Sequence, residues 1–412
     1  MNIKTRLIIM NFLQFFVWGA WLISLGSYLW GQLHFDGIQI GSFYAAMGIV
    51  SLFMPAILGI VADRWIPAQK MLGISHFISA IFLILASFQT EFTPLYSMMF
   101  LAVMFYMPTI ALSNAVAFNA LEKAGLDTVK TFPPIRFWGT VGFIAAMWTV
   151  DITGYKSSEM QFYVSAIAGF VLSVYSFTLP KCPTTNKEKA KSTLEMMGLN
   201  AFKLFKQKKM ALFFIFSMLL GASLQITNGF GDSFINSFKS LPEYANTFGV
   251  KHSVILISLS QISETFCILL IPFFLKRFGI KKVMLISMFA WVLRFGLFGL
   301  GDPGHGVWML VLSMIVYGVA FDFFNISGSL FVDQETSPSM RSSAQGLFML
   351  MTNGFGATFG SLAAGAIVDH FVPNRVLPTG WDSAWFIFAG YALVVGLIFM
   401  VVFKYKHDKT HI

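Results

Sequence analysis

Apolar runs long enough to cross a lipid bilayer follow one another along almost the whole chain. A membrane-spanning helix needs about 20 predominantly apolar residues. Runs of this kind cover residues 5–30, 38–62, 69–89, 94–120, 133–153, 160–180, 209–236, 252–275, 282–301, 306–331, 341–369 and 382–403. Only 11% of the residues are charged, whereas soluble domains carry about 25%. The sequence therefore predicts an all-α membrane protein with twelve transmembrane helices.

The twelve runs form two sets of six, separated by a polar and basic stretch at residues 181–208. This stretch predicts a cytoplasmic linker between an N-terminal half, residues 1–180, and a C-terminal half, residues 209–412. Its lysines are explained by topology and by contact with anionic lipids, so the net charge of +9 needs no nucleic-acid partner. Two six-helix halves match secondary transporters in which the substrate binds near mid-membrane between the halves.

The basic residues predict the orientation of the chain in the membrane. Most of the 28 Lys and Arg residues lie on the same side as both chain ends, so both termini are expected to be cytoplasmic. The exceptions are Lys156, Lys239, Lys251 and Arg375 in the opposite loops and Arg136 and Arg294 within spans. The first run is too long for a signal-peptide core and precedes no cleavage site, so it is expected to be a span.

Two carboxylates, Glu264 and Asp322, lie deep inside otherwise apolar spans. An ionisable group at mid-membrane costs about 2.5–3.5 kcal/mol even on insertion scales, and such groups usually face a protein interior or a water-filled path. Gln261 precedes Glu264 by three residues, and Asn325 follows Asp322 by three. On a helix this spacing places each amide on the same face as its carboxylate.

A third span repeats this spacing without a charge, because Gln225 and Asn228 are also three residues apart. Three polar faces built in the same way predict one shared polar cavity. The sequence contains no phosphate loop, HExxH pair or metal-ligand cluster. It therefore disfavours an enzyme or a sensor and predicts neither a cofactor nor a metal site.

The loop after the second span resembles the cytoplasmic-loop signature of the major facilitator superfamily. In PAILGIVADRWIPAQKML, the matching positions are Gly59, Asp63, Arg64 and Lys70. The sequence departs from the signature at residues 65–68, where a glycine and further basic residues would be expected. The resemblance implies a cytoplasmic gate that involves Gly59, Asp63 and Arg64.

Longer segments carry a more specific resemblance. They are FLQFFVWGAWLISLGSYL, FPPIRFWGTVGFI, FFIFSMLLGASLQITNGFG, SQISETFCILLIPFFL, SMIVYGVAFDFFNISGS and SAQGLFMLMTNGFG. Together they resemble the nucleoside:proton symporter family, the bacterial nucleoside permeases of the major facilitator superfamily. This resemblance extends from about residue 2 to residue 406. It implies the twelve-helix major facilitator fold, a bacterial inner-membrane location and proton-driven uptake of nucleosides such as uridine, cytidine and adenosine.

The resemblance also implies a set of substrate-binding residues. A nucleoside offers ribose hydroxyls and a base edged with donors and acceptors, which amides, carboxylates and aromatic rings can bind. The family's binding residues fall on Arg136, Thr140, Phe143, Gln225, Asn228, Gln261, Glu264, Tyr317 and Phe321. For Arg136, the alternative is a side chain that extends to the cytoplasmic surface. Further candidates to line the first half of the cavity are Gln14, Trp18, Trp21, Tyr106 and Asn114.

Asp322 is the predicted proton carrier, because its phenylalanine neighbours favour a neutral carboxyl group that can bind and release a proton. Glu264 is the second candidate, although binding of ribose would give it mainly a binding role. The alternative for Asp322 is a static ion pair with Arg136 or Arg294. For Arg294, a structural ion pair or an outward extension is expected rather than substrate contact.

These expectations lead to a proton-coupled nucleoside importer that works by alternating access. The alternative is a proton-coupled sugar or drug transporter of the same fold, because aromatic rings and amides serve either ligand. The expected partners are the nucleoside, protons and the lipid bilayer, and no obligate protein partner is evident from the sequence.

Overall fold

The structure, a computed structural model, describes residues 2–184, 199–337, 340–374 and 377–405. Within these ranges the chain forms helices, turns and short loops, and no β-strand. Residues 185–198 of the predicted linker and residue 375 lie outside the described residues. The prediction of an all-α protein is therefore confirmed for the described part of the chain.

Contacts between Cα atoms divide the chain into two compact units. The N-terminal unit contains Met1–Phe35 and Ile49–Met197, and the C-terminal unit contains Asp36–Gly48 and Gly198–Ile412. The chain begins with helices α1 (Ile3–Gly19), α2 (Leu25–Gly31), α3 (Gly37–Ser51), α4 (Met54–Arg64), α5 (Ala68–Ser87), α6 (Phe92–Lys123), α7 (Thr128–Ile152) and α8 (Met160–Ser176), with a 3₁₀ turn at Tyr155–Ser157.

The rest of the C-terminal unit begins with a 3₁₀ segment at Leu199–Lys206. Its helices are α9 (Lys208–Ser237), α10 (Ser253–Phe278), α11 (Ile280–Leu300), α12 (Val307–Glu335), α13 (Arg341–Met349), α14 (Ala357–Phe371) and α15 (Trp381–Val402). A π-helical segment, Leu350–Gly356, joins α13 to α14, and short helical turns occur at Phe238–Ser240 and Phe248–Lys251.

Each of the twelve predicted spans is helical over most of its length. By length and hydropathy, eight helices in the described ranges can cross a membrane, or nine when α3 and α4 count as one span bent by 40°. The chain is therefore a multi-pass membrane protein.

Proline explains one of the breaks in the predicted spans. The second span, residues 38–62, is divided because Pro55 lies at the start of α4. Proline lacks the N–H that would bond to the carbonyl four residues earlier, and its ring collides with that carbonyl. In this case the carbonyl belongs to Ser51, the last residue of α3. The first span is also divided, because α1 ends at Gly19 and α2 begins at Leu25.

The fifth span begins earlier than its prolines suggest. The fifth predicted run starts at Pro133, whereas α7 begins at Thr128. Asp127 caps this end, since its carboxylate accepts a hydrogen bond of 3.3 Å from the N–H of Lys130. Both prolines therefore lie inside α7, in its second turn.

Close approach of helices fixes the two surfaces that carry the candidate residues. In the N-terminal unit, a Cβ on Gly142 of α7 would overlap the carbonyl oxygen of Phe12 on α1. In the C-terminal unit, a Cβ on Gly318 of α12 would lie 2.7 Å from both Cys267 Sγ and the carbonyl oxygen of Ser263 on α10. Glycine at these two positions therefore allows contacts that any side chain would prevent.

A carboxylate holds residues 36–48 within the C-terminal unit. Asp369 on α14 accepts hydrogen bonds from the N–H groups of Gly37 at 2.5 Å and Ile38 at 2.9 Å. These are the first N–H groups of α3, which have no partner within the helix. A negative charge at a helix N-terminus is also favoured by the helix dipole.

Candidate functional site

The C-terminal unit places two amides of α9 side by side. Asn228 Nδ2 donates to Gln225 Oε1 at 3.3 Å, as their spacing of three residues predicts. Gln225 is buried, and Asn228 is half-buried. The pair can therefore offer both donors and acceptors to a polar ligand.

Gln261 and Glu264 extend the polar surface on α10, which packs against both α9 and α12. Both side chains are half-buried. Gln261 Oε1 is buried and accepts no hydrogen bond from the described residues. An amide oxygen in this state is a ready acceptor for a ligand hydroxyl, because an unpaired buried acceptor costs about 1–3 kcal/mol.

Asp322 lies on α12 and is 5% exposed. Its Oδ2 atom is buried and has no hydrogen-bond partner in the described chain. Asn325, expected beside it, instead donates to the carbonyl oxygen of Phe321 at 3.0 Å. The carboxyl groups of Asp322 and Glu264 interact electrostatically, so the two acidic groups predicted to act in proton coupling belong to one local cluster.

The aromatic part of this surface is formed by Tyr317 and Phe321. Their rings stack with centroids 5.7 Å apart and an interplanar angle of 4°. Phe324, one turn further along, belongs to a different cluster and stacks on Phe213 with an angle of 12°. The Tyr317–Phe321 pair therefore forms a small flat platform next to the acidic cluster.

Arg294 departs from both expectations for this residue. It is 2% exposed and makes no ion pair with the described residues, so neither a structural ion pair nor an outward extension is correct. Its guanidinium carbon lies 4.6 Å from the centroid of the Tyr317 ring. A static ion pair between Asp322 and Arg294 is likewise not formed. Instead of an acidic partner, the Arg294 guanidinium group has aromatic ring faces and a backbone carbonyl oxygen to attract it.

A cavity of about 20 Å³ adjoins Phe321, with room for about one water molecule. Its lining includes Trp291, Asn325, Thr352 and Asn353. Of these, the sequence interpretation missed Trp291, Thr352 and Asn353. A signal was available, because the pentapeptide TNGFG occurs twice, at residues 227–231 and 352–356, and its first copy contains Asn228.

The second copy of this pentapeptide lies in the π-helical segment Leu350–Gly356. Such segments occur often at functional sites. The amide of Asn353 has one weak contact in the described chain, at 3.9 Å from Met349 Sδ. Its polar atoms are therefore largely available to a ligand.

In the N-terminal unit, the three predicted residues lie along α7, which packs against α1. The Arg136 guanidinium carbon lies 3.8 Å from the centroid of the Phe15 ring. Phe143 is buried and meets Trp18 edge to face at 6.1 Å. Thr140, between them, is half-buried. Aromatic residues of α1 therefore support two of the three predicted residues.

A hydrogen-bonded cluster centred on Gln14 lies in the same unit. Gln14 Nε2 donates to Thr109 Oγ1 at 2.7 Å, and Gln14 Oε1 lies 2.8 Å from His76 Nε2. The Tyr106 hydroxyl donates to the backbone oxygen of Gln14 at 2.8 Å. His76, which the sequence interpretation missed, is fully buried. Every hydrogen-bonding atom of the Gln14 amide group thus has a protein partner.

The predicted gate residues lie in α4, with Gly59 at its middle and Asp63 and Arg64 at its end. Asp63 is exposed and makes no ion pair within the described part of the chain. Gly59 has no atom near the position that a Cβ would occupy, and Arg64 is half-buried. An ion pair that holds Asp63 is therefore not formed among the described residues. Among the described residues, no three His, Cys, Asp or Glu side chains are arranged to hold a metal ion.

Helices long enough to cross a membrane, together with buried carboxylates and amides, define a multi-pass transporter of the major facilitator type. The chain belongs to the nucleoside H⁺ symporter family, whose sequence model matches residues 1–408. This confirms the family inferred from the sequence motifs.

Two curated relatives and one solved structure illustrate the similarity. The chain is 51% identical over 411 residues to the nucleoside permease NupG of Escherichia coli (strain K12), which covers 100% of this chain and 98% of that protein. It is also 51% identical over 413 residues to the xanthosine permease of the same strain, with the same coverage. The crystal structure of nucleoside transporter NupG matches with a TM-score of 0.93 and 51% identity, covering 98% of this chain and 100% of that chain.

Proposed function

We propose that this protein is a proton-coupled nucleoside importer of the bacterial inner membrane, with both termini in the cytoplasm. Family membership supports the nucleoside and the proton as the transported species. The observation that carries the site is a pair of buried acceptors, Gln261 Oε1 and Asp322 Oδ2, which have no partner among the described residues and lie on the same helices' surface as a stacked aromatic pair. The proposed substrates include uridine, cytidine and adenosine.

The polar residues of the C-terminal unit bind the ribose. Gln225, Asn228, Gln261 and Glu264 offer amide donors, amide acceptors and a carboxylate, which suits vicinal hydroxyl groups. Half-burial of Asn228, Gln261 and Glu264 keeps these groups available to a ligand while limiting competition from water.

Aromatic residues bind the base in this proposal. Tyr317 and Phe321 supply a flat platform in the C-terminal unit, and base–aromatic stacking stabilises such contacts. Arg136, Thr140 and Phe143 are the proposed contribution of the N-terminal unit, with a cation, a hydroxyl group and a third aromatic ring.

Asp322 carries the proton, and Glu264 is coupled to it. Two acidic groups that interact in an apolar setting favour a state in which one of them is protonated. Binding of a nucleoside hydroxyl to Glu264 changes the electrostatic field at Asp322, and this links substrate occupancy to proton binding. Asp322 therefore binds a proton from outside and releases it to the cytoplasm.

Transport requires the site to open to each side of the membrane in turn. We propose that residues 1–180 and 209–412 move as two six-helix halves joined by residues 181–208, which gives twelve membrane spans. This follows the parallel-repeat plan of related transporters.

Competition in proteoliposomes tests the transported species. Uptake of radiolabelled uridine, driven by a proton gradient that is acidic outside, should be reduced by unlabelled cytidine and adenosine. It should be unaffected by free uracil, glucose or lactose at the same concentration. Competition by sugars, or uptake that does not respond to the proton gradient, would overturn the proposal.

The gate formed by Gly59, Asp63 and Arg64 requires a separate test. If Asp63 forms a transient ion pair in another state of the cycle, Asp63→Asn should slow uridine uptake and change the labelling of cysteines placed at the cytoplasmic entrance. Glu91, an exposed acidic residue that precedes α6, provides the control as Glu91→Gln. An uptake rate and a labelling pattern equal to those of the unmodified protein would eliminate Asp63 from the gate.

A further inference from the structure

Arg294 is a buried cation held by neutral groups. Its Nη1 atom donates to the carbonyl oxygen of Ser313 at 2.7 Å, and Ser313 Oγ donates back to the carbonyl oxygen of Arg294 at 3.0 Å. Ser260 Oγ lies 3.5 Å from both Nη1 and Nη2. These contacts join α11 to α10 and α12. They fix the guanidinium plane between the two helices that carry the proposed acidic cluster.

Three aromatic rings surround this cation. The distances from the guanidinium carbon to the ring centroids are 4.6 Å for Tyr317, 5.5 Å for Phe298 and 6.0 Å for Trp291. Burial of a charge without an opposite charge is unfavourable. An arginine in this position therefore needs the rings, and it holds most firmly the ring that lies closest to it, that of Tyr317.

Tyr317 transmits this constraint to the proposed base platform. Its ring meets Trp291 edge to face at 6.1 Å with an angle of 88°, and it stacks on Phe321 at 5.7 Å. Tyr317 is thus confined between the guanidinium group, the Trp291 ring and the Phe321 ring. Without the cation, rotation about its side-chain bonds would change the platform.

We propose that Arg294 is a positioning residue that orients Tyr317, and through it Phe321, for stacking on the nucleoside base. The assignment rests on the proposed function, because it assumes that Tyr317 and Phe321 bind the base. Arg294 itself acts behind the platform and touches the ligand through neither a charge nor a hydrogen bond. Its effect on affinity therefore depends on the presence of the Tyr317 ring.

A double-mutant cycle tests this dependence. Uridine affinity is measured by calorimetry on purified full-length protein, for Arg294→Met, Tyr317→Leu and the combined variant. Arg294→Met should weaken uridine binding about tenfold, which lies between the scales of an exposed and of a desolvated cation–π contact. In the Tyr317→Leu background, the same change should alter affinity by less than about twofold, because the ring that Arg294 orients is gone.

Two further variants keep the test decisive. Arg294→Lys retains the positive charge but loses the planar group, so it should weaken binding less than Arg294→Met, and it replaces that variant in the cycle if Arg294→Met does not fold. Lys156→Met removes a different buried cation, which pairs with Asp151 at 2.7 Å in the N-terminal unit. It should lower stability and leave uridine affinity unchanged.

The outcomes separate this inference from the proposed function. The positioning role alone would be overturned if mutation of Arg294 reduced uridine affinity equally with and without the Tyr317 ring. Unchanged uridine affinity in Arg294→Met would have the same meaning. Failure of the unmodified protein to bind uridine would overturn the proposed function. An equal loss of affinity in Lys156→Met would show that removal of any buried cation has this effect, and it would also overturn the positioning role.

Discussion

Buried polar groups are treated differently in the two compact units. In the N-terminal unit, the amide of Gln14 is fully occupied by Thr109 and His76. In the C-terminal unit, Gln261 Oε1 and Asp322 Oδ2 are buried without a partner among the described residues. A satisfied amide stabilises the packing of its helices, whereas an unsatisfied acceptor favours a ligand or a proton. The difference predicts a structural role for Gln14 and a ligand-binding role for Gln261.

The comparison is not absolute, because Asn11 Oδ1, His76 Nδ1 and Trp18 Nε1 in the N-terminal unit also lack partners in the described chain. The Asn11 atom is an amide oxygen, but none of the three atoms belongs to a residue proposed to bind the nucleoside. The unpaired oxygen acceptors on the proposed ligand-facing surface are those of the C-terminal unit. Substitutions in each unit can therefore confirm or break the distinction.

The largest effect is expected for Asp322→Asn. Asparagine has nearly the shape of a protonated aspartate but cannot release a proton, so uridine accumulation driven by a proton gradient should fall to background. Uridine binding and exchange should persist. Proteoliposome uptake with and without the gradient measures both quantities. Asp333, a half-buried acidic residue of the same helix that pairs with Arg341 at 3.2 Å, is the control as Asp333→Asn and should leave accumulation intact.

Accumulation by well-folded Asp322→Asn protein would show that the buried carboxylate is not the carrier. Loss of thermal stability before any loss of coupling would instead identify a structural role for Asp322. Either result would place it with the structural polar groups of the N-terminal unit.

Gln261→Ala should weaken uridine binding by about tenfold to a hundredfold, because a ligand group that bonds to Gln261 Oε1 loses its partner. Stability should change little, since that oxygen has no partner among the described residues. Calorimetry on purified protein measures the affinity, and thermal unfolding measures the stability. Unchanged affinity would remove Gln261 from the binding site.

Gln14→Ala should show the opposite pattern. It leaves Thr109 and His76 without their partner, at a cost of about 1–3 kcal/mol in stability, while uridine affinity stays within about twofold. Thermal unfolding and calorimetry, applied to both glutamine variants side by side, provide the comparison. A loss of affinity as large as that of Gln261→Ala would show that the Gln14 cluster also serves the ligand.

The smallest effect is expected for Asn353→Ala. Asn353 lines the cavity beside Phe321 and has one weak contact in the described chain. If a nucleoside extends into this cavity, loss of one neutral hydrogen bond should reduce affinity about threefold. Adenosine and uridine should be compared, because their bases differ in size. If Asn353→Ala changes the affinity for neither nucleoside, Asn353 does not belong to the binding site.

Much of this protein follows from local sequence patterns. Apolar runs of about 20 residues predict the helices, and the spacing of three residues predicts that Gln225 and Asn228 lie side by side, as their 3.3 Å hydrogen bond confirms. The motifs predict the family. Such features depend on the period of one helix, so they can be inferred without knowledge of its neighbours. The position of Pro55 was likewise a visible signal for the break between α3 and α4.

Only the tertiary structure decided the partners of the buried polar groups. Gln14 meets His76 and Thr109 across separations of 62 and 95 residues, and Arg294 selects the Tyr317 ring instead of a carboxylate. These choices depend on how closely and at what rotation the helices pack, which glycines such as Gly142 and Gly318 permit. A sequence shows that a residue is polar and within a span. Whether its hydrogen bonds are satisfied by the protein or left for a ligand is decided by side chains from other helices.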